Sequence, residues 1–290
     1  MQSREYSLDN TQIAYIELLG VTLAGVRKPD QGFYWTDLTG WWGLPELRGA
    51  TDEIPGTHGS FERSEFLRSS RVLSLTGHIL THSGSSFMST RERLETALAA
   101  GGGIMRVHTN TYGTWERYVE VKILDIEPDH GRTYTKFVVD LLAPDPRRYG
   151  DWHIVGPVGL PSSEGGVILP QAMPWHFGST SQESRLQVPN GGALEMFPQI
   201  IVDGGYSSIM VQDITTGSRL SLNRPALEGS TLVLDCGARR ATLDGSDVTR
   251  WLTRRQWFSI QPGEEHEFRF EVVNPIADPQ MRARTRIGAW

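Results

Sequence analysis

Alternation of apolar and polar positions is the main pattern in the first half of the chain. In residues 117–126, Val119, Val121 and Ile123 lie on one face of an extended strand, and charged residues occupy the other face. Alternation of this kind predicts half-buried antiparallel strands, so the chain is expected to be mainly β. Comparable alternating or continuous apolar runs occur at residues 13–19, 71–82 and 134–142.

The first half also contains one segment with helical periodicity, residues 89–100. Ser89 and Glu92 have the spacing of a capping box, and two leucines lie one turn apart on the same helical face. Three glycines follow at 101–103 and predict the end of the helix. The pattern indicates a single helix packed against a sheet.

Short apolar runs recur at regular spacing in the second half, separated by turn residues. Asp244 and Gly245 form a typical hairpin turn between two such runs. Many short strands separated by turns are typical of a β-sandwich. The predicted strands are residues 198–202, 208–212, 219–222, 231–235, 239–243, 257–260, 266–273 and 281–287.

The last two predicted strands have complementary charged faces. Residues 266–273 carry two glutamates on their polar face, whereas residues 281–287 carry Arg282, Arg284 and Arg286. Opposite charges on neighbouring strands stabilise a sheet, so we predict that these two strands pair antiparallel. The arginine stripe is interpreted as a solvated strand face, with anion binding as the alternative.

Two prolines separate the strand patterns of the two halves. Pro144 and Pro146 flank Asp145 just after the last strand of the first half. Proline lacks the N–H group that a β-ladder needs, and it moves the preceding residue toward an extended conformation. We therefore predict two domains, residues 1–146 and 147–290, with these three residues as the linker.

The composition is that of an ordinary globular protein, because 38% of the 290 residues are apolar and 21% are charged. Residues 1–150 hold 16 basic and 19 acidic side chains, and residues 151–290 hold 12 and 15, so each half has a net charge of −3. This balance argues against a nucleic-acid-binding domain.

The apolar runs are too short for membrane insertion. The single cysteine, Cys236, excludes an internal disulfide and indicates folding in a reducing cytosol.

Candidate catalytic and metal-binding motifs fail on spacing. His78 and His82 are four residues apart in a predicted strand, which separates their side chains by about 13 Å, too far to share one metal ion. The glycines at 101–103 follow a helix, whereas a phosphate-binding loop precedes one. Cys236 has no base near it in sequence. A pair of glycosidase carboxylates can be neither assigned nor dismissed from spacing. We predict no catalytic residue, no metal and no cofactor.

The segment between residues 32 and 71 is rich in tryptophan and glycine and has little periodicity. Large aromatic side chains of this kind anchor protein interfaces. They also close open ends of hydrophobic cores, and both interpretations are kept. The residues predicted for an oligomer interface are Trp41, Trp42, His58 and Phe61.

Five stretches of the chain, in this order, resemble the distal tail proteins of bacteriophages with long non-contractile tails. They are GTHGSF at 56–61, LLAPDPRRY at 141–149, VPNGGALEMFPQIIVDG at 188–204, ITTGSRLSL at 214–222 and LVLDCGARRATLDGSDVT at 232–249. The resemblance extends over nearly the whole chain. It implies a first domain with the split-barrel fold of tail-tube proteins and a second domain that is a galectin-like or carbohydrate-module-like β-sandwich.

The same resemblance implies a structural role in the virion. The first domains would form a homo-hexameric ring around a channel through which DNA passes without specific binding. After assembly in the host cytoplasm, this ring would join the tail-tube protein to the tail-tip or baseplate proteins and the host-adhesion apparatus. Neither the His-x-Asn-x-Arg nor the Trp-Gly-x-Glu sequence of a galectin sugar site occurs. The alternatives are a carbohydrate-binding module that contacts host-surface glycans and a cell-wall-degrading tail enzyme.

Overall fold

The computed structural model describes residues 13–25, 31–48, 58, 66–127, 133–160 and 185–290. Its contacts divide the chain into two compact units. The first contains Met1–Asp151 together with Ala289–Trp290, and the second contains Trp152–Gly288. The division falls on the C-terminal side of the two prolines, so the segment predicted to be the linker belongs to the first unit.

A closed β-barrel forms the first unit. Its strands are β1 (Ile13–Leu18), β2 (Val21–Ala24), β3 (Gly32–Thr39), β4 (Arg71–Leu80), β5 (Gly102–Thr109), β6 (Gly113–Ile126), β7 (Tyr134–Ala143) and the short β8 (Arg148–Tyr149). The order around the barrel is β6–β5–β1–β2–β3–β4–β7, and β7 pairs with β6 to close it. β2 and β3 run parallel, and the other described pairs are antiparallel. β8 pairs with the first part of β6.

Alternate strand positions fill the barrel. Leu73 and Phe137, which the alternation places on inward faces, are buried. Ile123 was predicted to face inward as well, but it is exposed. A register shift between Val121 and Ile123, where β6 pairs with β7, adds one residue to β6 and reverses the alternation. Leu124 therefore packs against the core instead.

The helix begins earlier than its sequence pattern indicates. Helix α1 (Gly84–Leu98) is capped by Ser83, whose hydroxyl accepts a hydrogen bond from the backbone N–H of Ser86. The Ser86 hydroxyl in turn accepts one from the N–H of Ser83. The predicted cap at Ser89 is wrong, because this serine pair already satisfies the N-terminal N–H groups upstream of it. The predicted end is confirmed, since Gly101 follows the helix with a positive φ of 80°.

A β-sandwich forms the second unit. Its strands are β9 (His153–Val158), β10 (Leu186–Pro189), β11 (Gln199–Gly205), β12 (Ser208–Asp213), β13 (Arg219–Leu222), β14 (Thr231–Asp235), β15 (Arg240–Leu243), β16 (Ser246–Asp247), β17 (Leu252–Arg255), β18 (Glu265–Val273) and β19 (Ile276–Thr285). One sheet has the order β10–β18–β12–β13–β17, and the other has the order β16–β15–β14–β11–β19–β9. Apolar residues of the two sheets form one buried core.

The predicted pairing of the last two sandwich strands is wrong. β18 pairs with β10 and β12, whereas β19 pairs with β11 and β9 in the other sheet. Their opposite charges are matched within each sheet instead. An Arg185 nitrogen lies 3.1 Å from a Glu267 carboxylate oxygen, and an Arg282 nitrogen lies 2.9 Å from an Asp203 oxygen.

The strand predicted at residues 257–260 is also wrong. Phe258 and Ile260 are buried in the sandwich core, which explains the apolar pattern. The backbone of Ile260 forms an isolated bridge with Met196, and the nearby regular strand is β17, which precedes this segment. Burial without a regular ladder gives the same apolar signal as a strand.

The chain finally returns to the first unit. Strand β20 (Gly288–Ala289) pairs with β8, and the Arg68 guanidinium lies 5.9 Å from the centre of the Trp290 ring. The second unit is therefore inserted between two segments of the first. In the described residues the chain is mainly β, with one helix on a barrel-like first domain and a sandwich as the second, and this predicted fold class is confirmed.

Candidate functional site: an arginine–tryptophan cluster beside an apolar patch

Three arginines and three tryptophans of the first unit lie together, and we call them the arginine–tryptophan cluster. The barrel brings together residues that are far apart in sequence: one arginine begins β4, one lies in β6 and one lies in β8, while two tryptophans follow β3. The members are Arg71, Arg117, Arg148, Trp41, Trp42 and Trp115.

Two of these arginines occupy inward positions of barrel strands. Arg71 shares a strand face with the buried Leu73, and Arg117 shares one with the buried Val119. Arg117 is only 1% exposed. Arginine is rarely buried to this extent unless other groups of the protein compensate its charge and donors.

Both arginines hold the loop of residues 40–43, which we call the tryptophan loop. Arg71 Nη1 donates hydrogen bonds to the carbonyl oxygens of Gly40 at 2.7 Å and Trp42 at 2.8 Å, and its Nη2 donates to that of Gly43 at 2.6 Å. Arg117 Nη1 donates to the carbonyl oxygen of Trp41 at 2.9 Å. These four bonds fix the loop across the end of the barrel.

A glycine is required where this loop begins. Gly40 has a positive φ of 75°, a conformation that side chains disfavour. A Cβ atom at this position would also lie 2.2 Å from the carbonyl oxygen of Val72. The close approach lets the loop turn over the first residues of β4, where Arg71 reaches it.

The guanidinium groups of the cluster also stack on its indole rings. The Arg117 Cζ lies 4.5 Å from the centre of the Trp41 ring. The Arg148 Cζ lies 4.6 Å from Trp42 and 5.2 Å from Trp115. These distances are within the range of cation–π attraction, which strengthens when the cation is removed from water.

Positive charge is concentrated in the cluster. Burial, together with the charges of Arg71 and Arg148, lowers the pKa of Arg117 to about 9, while the charge of Asp145 opposes this shift. Burial and the charge of Arg71 lower the pKa of Arg148 to about 10. Both values lie above neutral pH, so Arg117 and Arg148 are charged under physiological conditions.

The segment predicted to be the linker lies next to this charge. Asp145 accepts hydrogen bonds from Arg147 Nε at 2.8 Å and from the Tyr149 hydroxyl at 2.7 Å. Burial raises the pKa of Asp145, but these hydrogen bonds and the Arg147 charge lower it by a larger amount. The net effect is a pKa below the ordinary carboxyl value. The residues around the two prolines thus form an ordered corner of the first unit.

Exposed apolar side chains lie beside the tryptophan loop, in and around two chain segments that are joined antiparallel. Backbone hydrogen bonds from Arg48 to Leu67 and from Ser69 to Glu46 join the segments. Three of the side chains, Leu44, Phe66 and Val72, are each more than 60% exposed. We call the following set the apolar patch: Leu44, Leu47, Phe66, Leu67 and Val72.

A groove of about 400 Å³ borders the apolar patch. It is lined by the tryptophan loop on one side and by the first residues of β4 on the other, and Trp42 and Arg71 both contribute to its wall. The groove therefore connects the charged cluster with the exposed apolar surface.

The four residues predicted for an oligomer interface differ in their exposure. Trp41 is 0% exposed and belongs to the barrel core, so its side chain offers no surface to a neighbour and closes the core instead. Trp42 is partly buried, lines the groove and packs against the core. His58 is exposed, and Phe61 lies outside the described residues.

Sequence reasoning missed both the arginines and the apolar patch. A signal for Arg117 was present, because it continues the apolar face of Val119 in an alternating strand. Its partner Trp41 is 76 positions away, so the contact itself has no local signature. Leu44 and Phe66 lie outside the regular strands, and Val72 is an apolar residue on the outward face of β4, so no strand pattern marks the three as one exposed group.

The histidine and the cysteine weighed as metal-binding or catalytic candidates are held in packed surroundings. His78 stacks on Tyr34 and Tyr134, with ring centres 5.0 and 4.7 Å apart. Burial raises the pKa of the Cys236 thiol to about 12, which keeps it protonated and poorly nucleophilic. Among the described residues, no group of three or more His, Cys, Asp or Glu side chains is arranged to hold a metal ion. No helix in that part of the chain has the length and apolar character to cross a membrane.

Comparison with known proteins gives two concordant results. Residues 191–274 match the family described as siphovirus-type tail component, C-terminal domain. The fold is similar to the crystal structure of the SPP1 Dit (gp 19.1) protein, described as a paradigm of the hub adsorption apparatus in phages that infect Gram-positive hosts. That similarity has a TM-score of 0.64 at 14% identity and covers 96% of this chain and 99% of the SPP1 chain. The chain has the fold of the SPP1 Dit protein.

Two baseplate structures extend the comparison of this fold. The phage P2 baseplate in its activated conformation with Ca is similar with a TM-score of 0.54 at 8% identity, over 93% of this chain and 96% of that chain. The corresponding baseplate with Sr has a TM-score of 0.50 at 10% identity and the same coverage. At these identities the likeness concerns the fold. No sequence among the curated proteins matches significantly.

Proposed function

We propose that this Dit-like protein is a non-enzymatic, ring-shaped adaptor in the phage tail. Six first domains assemble around a central channel, and the ring joins the tail-tube protein to the tail-tip or baseplate proteins. The second domain extends the adaptor toward the host-adhesion apparatus. The protein assembles in the host cytoplasm and remains in the virion.

The apolar patch is the observation that carries this proposal. Leu44, Phe66 and Val72 expose most of their surface within one part of a small barrel domain. Several large apolar side chains exposed in one region mark a protein interface, because their contact with water is unfavourable. A second copy of the same domain is the occupant that a hub assembly requires, and cyclic closure buries the patch on every subunit.

The charge of the chain supports a channel that does not retain DNA. The sequence has a formal net charge of −6 at pH 7, with both halves equally acidic. Binding to the DNA backbone depends on neutralising phosphates with lysine and arginine. A ring built from mildly acidic subunits has little tendency to hold the polyanion as it passes.

Subunit mass in solution tests the ring. The wild-type protein is expected to elute as a hexamer, or as two stacked rings, in size-exclusion chromatography with light scattering. Leu67→Asp places a charge in the apolar patch and should shift the mass toward a monomer, because an unpaired charge buried in an apolar interface carries a large desolvation penalty.

Leu227→Asp is the matched control, since Leu227 is an exposed leucine of the second domain, outside the patch. This variant should assemble like wild type. A wild-type protein that stays monomeric at high concentration contradicts the adaptor proposal. Equal loss of assembly in both variants contradicts the assignment of the apolar patch as the interface.

Carbohydrate binding by the second domain is the alternative function, and one feature favours it. An open groove of about 470 Å³ lies on the β12–β13–β18 sheet and contains polar side chains, including Ser221, Asn223 and Glu271. None of the described residues lining this groove is aromatic, so it lacks a ring on which a sugar would stack. Binding to a glycan array that Glu271→Ala abolishes would support this alternative.

A further inference from the structure

The arginine–tryptophan cluster contains more positive charge than its surroundings neutralise. Three guanidinium groups lie near one another, and the Arg71 and Arg148 charges both act on Arg117. Asp145 is the carboxylate that offsets this charge at Arg117, and it already accepts hydrogen bonds from Arg147 and Tyr149. A partly dehydrated group of like charges is unstable unless an anion offsets it.

Several N–H groups of the cluster have no acceptor among the residues that the structure describes. Arg117 Nε and Nη2 are buried and make no hydrogen bond within that part of the chain, and the same is true of Arg148 Nε and Nη1. Arg117 is almost completely buried, whereas Arg148 is half-buried and reaches the surface. Charged donors that are dehydrated without a partner are costly, and native structures rarely leave them so.

The hydrogen bonds that hold the tryptophan loop use other N–H groups than these unpaired donors. Arg71 uses Nη1 and Nη2 for the loop carbonyl groups, while Arg117 uses only Nη1. No hydrogen bond from Arg148 to a loop carbonyl is present among the described residues. The stacking of Arg148 on Trp42 and Trp115 fixes the plane of its guanidinium group, while Nε and Nη1 stay buried without an acceptor among the described residues.

We propose that Arg117 and Arg148 form a binding site for an oxyanion of the carboxylate or phosphate class, with Trp42 and Trp115 orienting Arg148. The planar fork of a guanidinium group matches the two oxygens of such an anion. Arg148 receives the anion at the surface, and the buried Arg117 supplies donors and charge behind it. The anion is either inorganic phosphate from solution or an Asp or Glu carboxylate from a second copy of the chain.

Thermal unfolding of the full-length protein in increasing inorganic phosphate, with chloride keeping the ionic strength constant, tests the free-anion source. The wild-type melting temperature should rise in a saturable manner, because an anion bound only by the folded state stabilises it. Arg148→Gln should lose most of this rise. Arg91→Gln is the control, since Arg91 is an exposed arginine of α1 that pairs with Glu95.

A carboxylate from a second copy predicts a different result. Phosphate would then leave the wild-type melting temperature unchanged, and Arg148→Gln would raise the protein concentration needed for assembly while Arg91→Gln would not. Leu67→Asp separates this site from the proposed ring interface, because a monomeric Leu67→Asp protein should still respond to free phosphate if that is the ligand.

Arg148→Lys keeps the positive charge, so it is tested as a second variant in case Arg148→Gln fails to fold. It should weaken phosphate binding by about tenfold or more, because lysine lacks the planar fork. The proposal is overturned if the melting temperatures of wild type, Arg148→Gln and Arg91→Gln respond equally to phosphate while assembly of the three proteins is the same. An equal response of Arg148→Lys and wild type would exclude recognition by the guanidinium group.

Discussion

At the scale of single residues, Arg117 illustrates what a strand pattern can reveal. Its position in the alternation of β6 places it on the inner face, and the structure buries it there. What it contacts was not predictable, because Trp41 reaches it only after the barrel closes. Local periodicity fixes the orientation of a side chain, whereas its partners depend on tertiary structure.

Asp145 gives a residue-scale prediction about pH. Its folded-state pKa lies below the ordinary carboxyl value, so its contribution to stability is present above pH of about 4 and is lost as the pH falls through the lower folded value. Asp145→Asn should lower stability at neutral pH by about 1 kcal/mol, a modest effect because the carboxylate is 36% exposed.

Thermal melts of wild type and Asp145→Asn from pH 7 to pH 3 measure this effect. The gap between the two melting temperatures should narrow toward acid. A gap that stays constant with pH would mean that the carboxylate charge plays no part. Glu95→Gln, which disrupts an exposed ion pair of α1, should show a smaller gap at every pH.

At the scale of elements, the sequence was informative about strands and less so about their partners. Burial of Phe268 and Phe270 in β18 and of Met281 in β19 follows the predicted alternation. Their assignment to different sheets does not, because two amphipathic strands with complementary charges look alike whether they pair side by side or face each other across a core. Pairing is a nonlocal property that charge patterns specify weakly.

The start of α1 gives an element-scale prediction that distinguishes the structure from the sequence pattern. Ser83→Ala removes the hydroxyl that accepts the Ser86 N–H and should destabilise the protein by about 1 kcal/mol. Ser89→Ala should be neutral or slightly stabilising, since Ser89 is exposed inside the helix and alanine has the higher helix propensity.

Urea unfolding monitored by circular dichroism compares these two serine variants. If Ser89→Ala were the destabilised one, the helix would begin where the capping-box spacing placed it.

At the scale of the whole molecule, the two-unit architecture and the mainly β fold were predictable because each half carries its own strand pattern. The barrel closure was not, since it depends on β7 pairing with both β4 and β6. The boundary was placed at the prolines because they interrupt regular structure. The structure continues the first unit past them through β8, a two-residue strand too short to leave a pattern.

The second unit should fold by itself. Its core is built from residues of its own strands, including β9, which precedes residues 161–184 and pairs with β19. We expect a fragment of residues 152–288 to be monomeric and to unfold cooperatively in a thermal melt. A fragment that begins at residue 185 is the comparison, and it should be less stable because it lacks β9. Equal stability of the two fragments would argue that β9 contributes nothing to the sandwich.

The return of the chain at Ala289–Trp290 has a mechanical consequence. The part of the first unit that follows the second domain is the two-residue segment Ala289–Trp290, so the second domain has one covalent link to residues 1–151, near Trp152. The pairing of β20 with β8 adds noncovalent contacts to this link. A protease cut near Trp152 would leave two fragments joined by noncovalent contacts, whereas a cut near Gly288 would keep the covalent link.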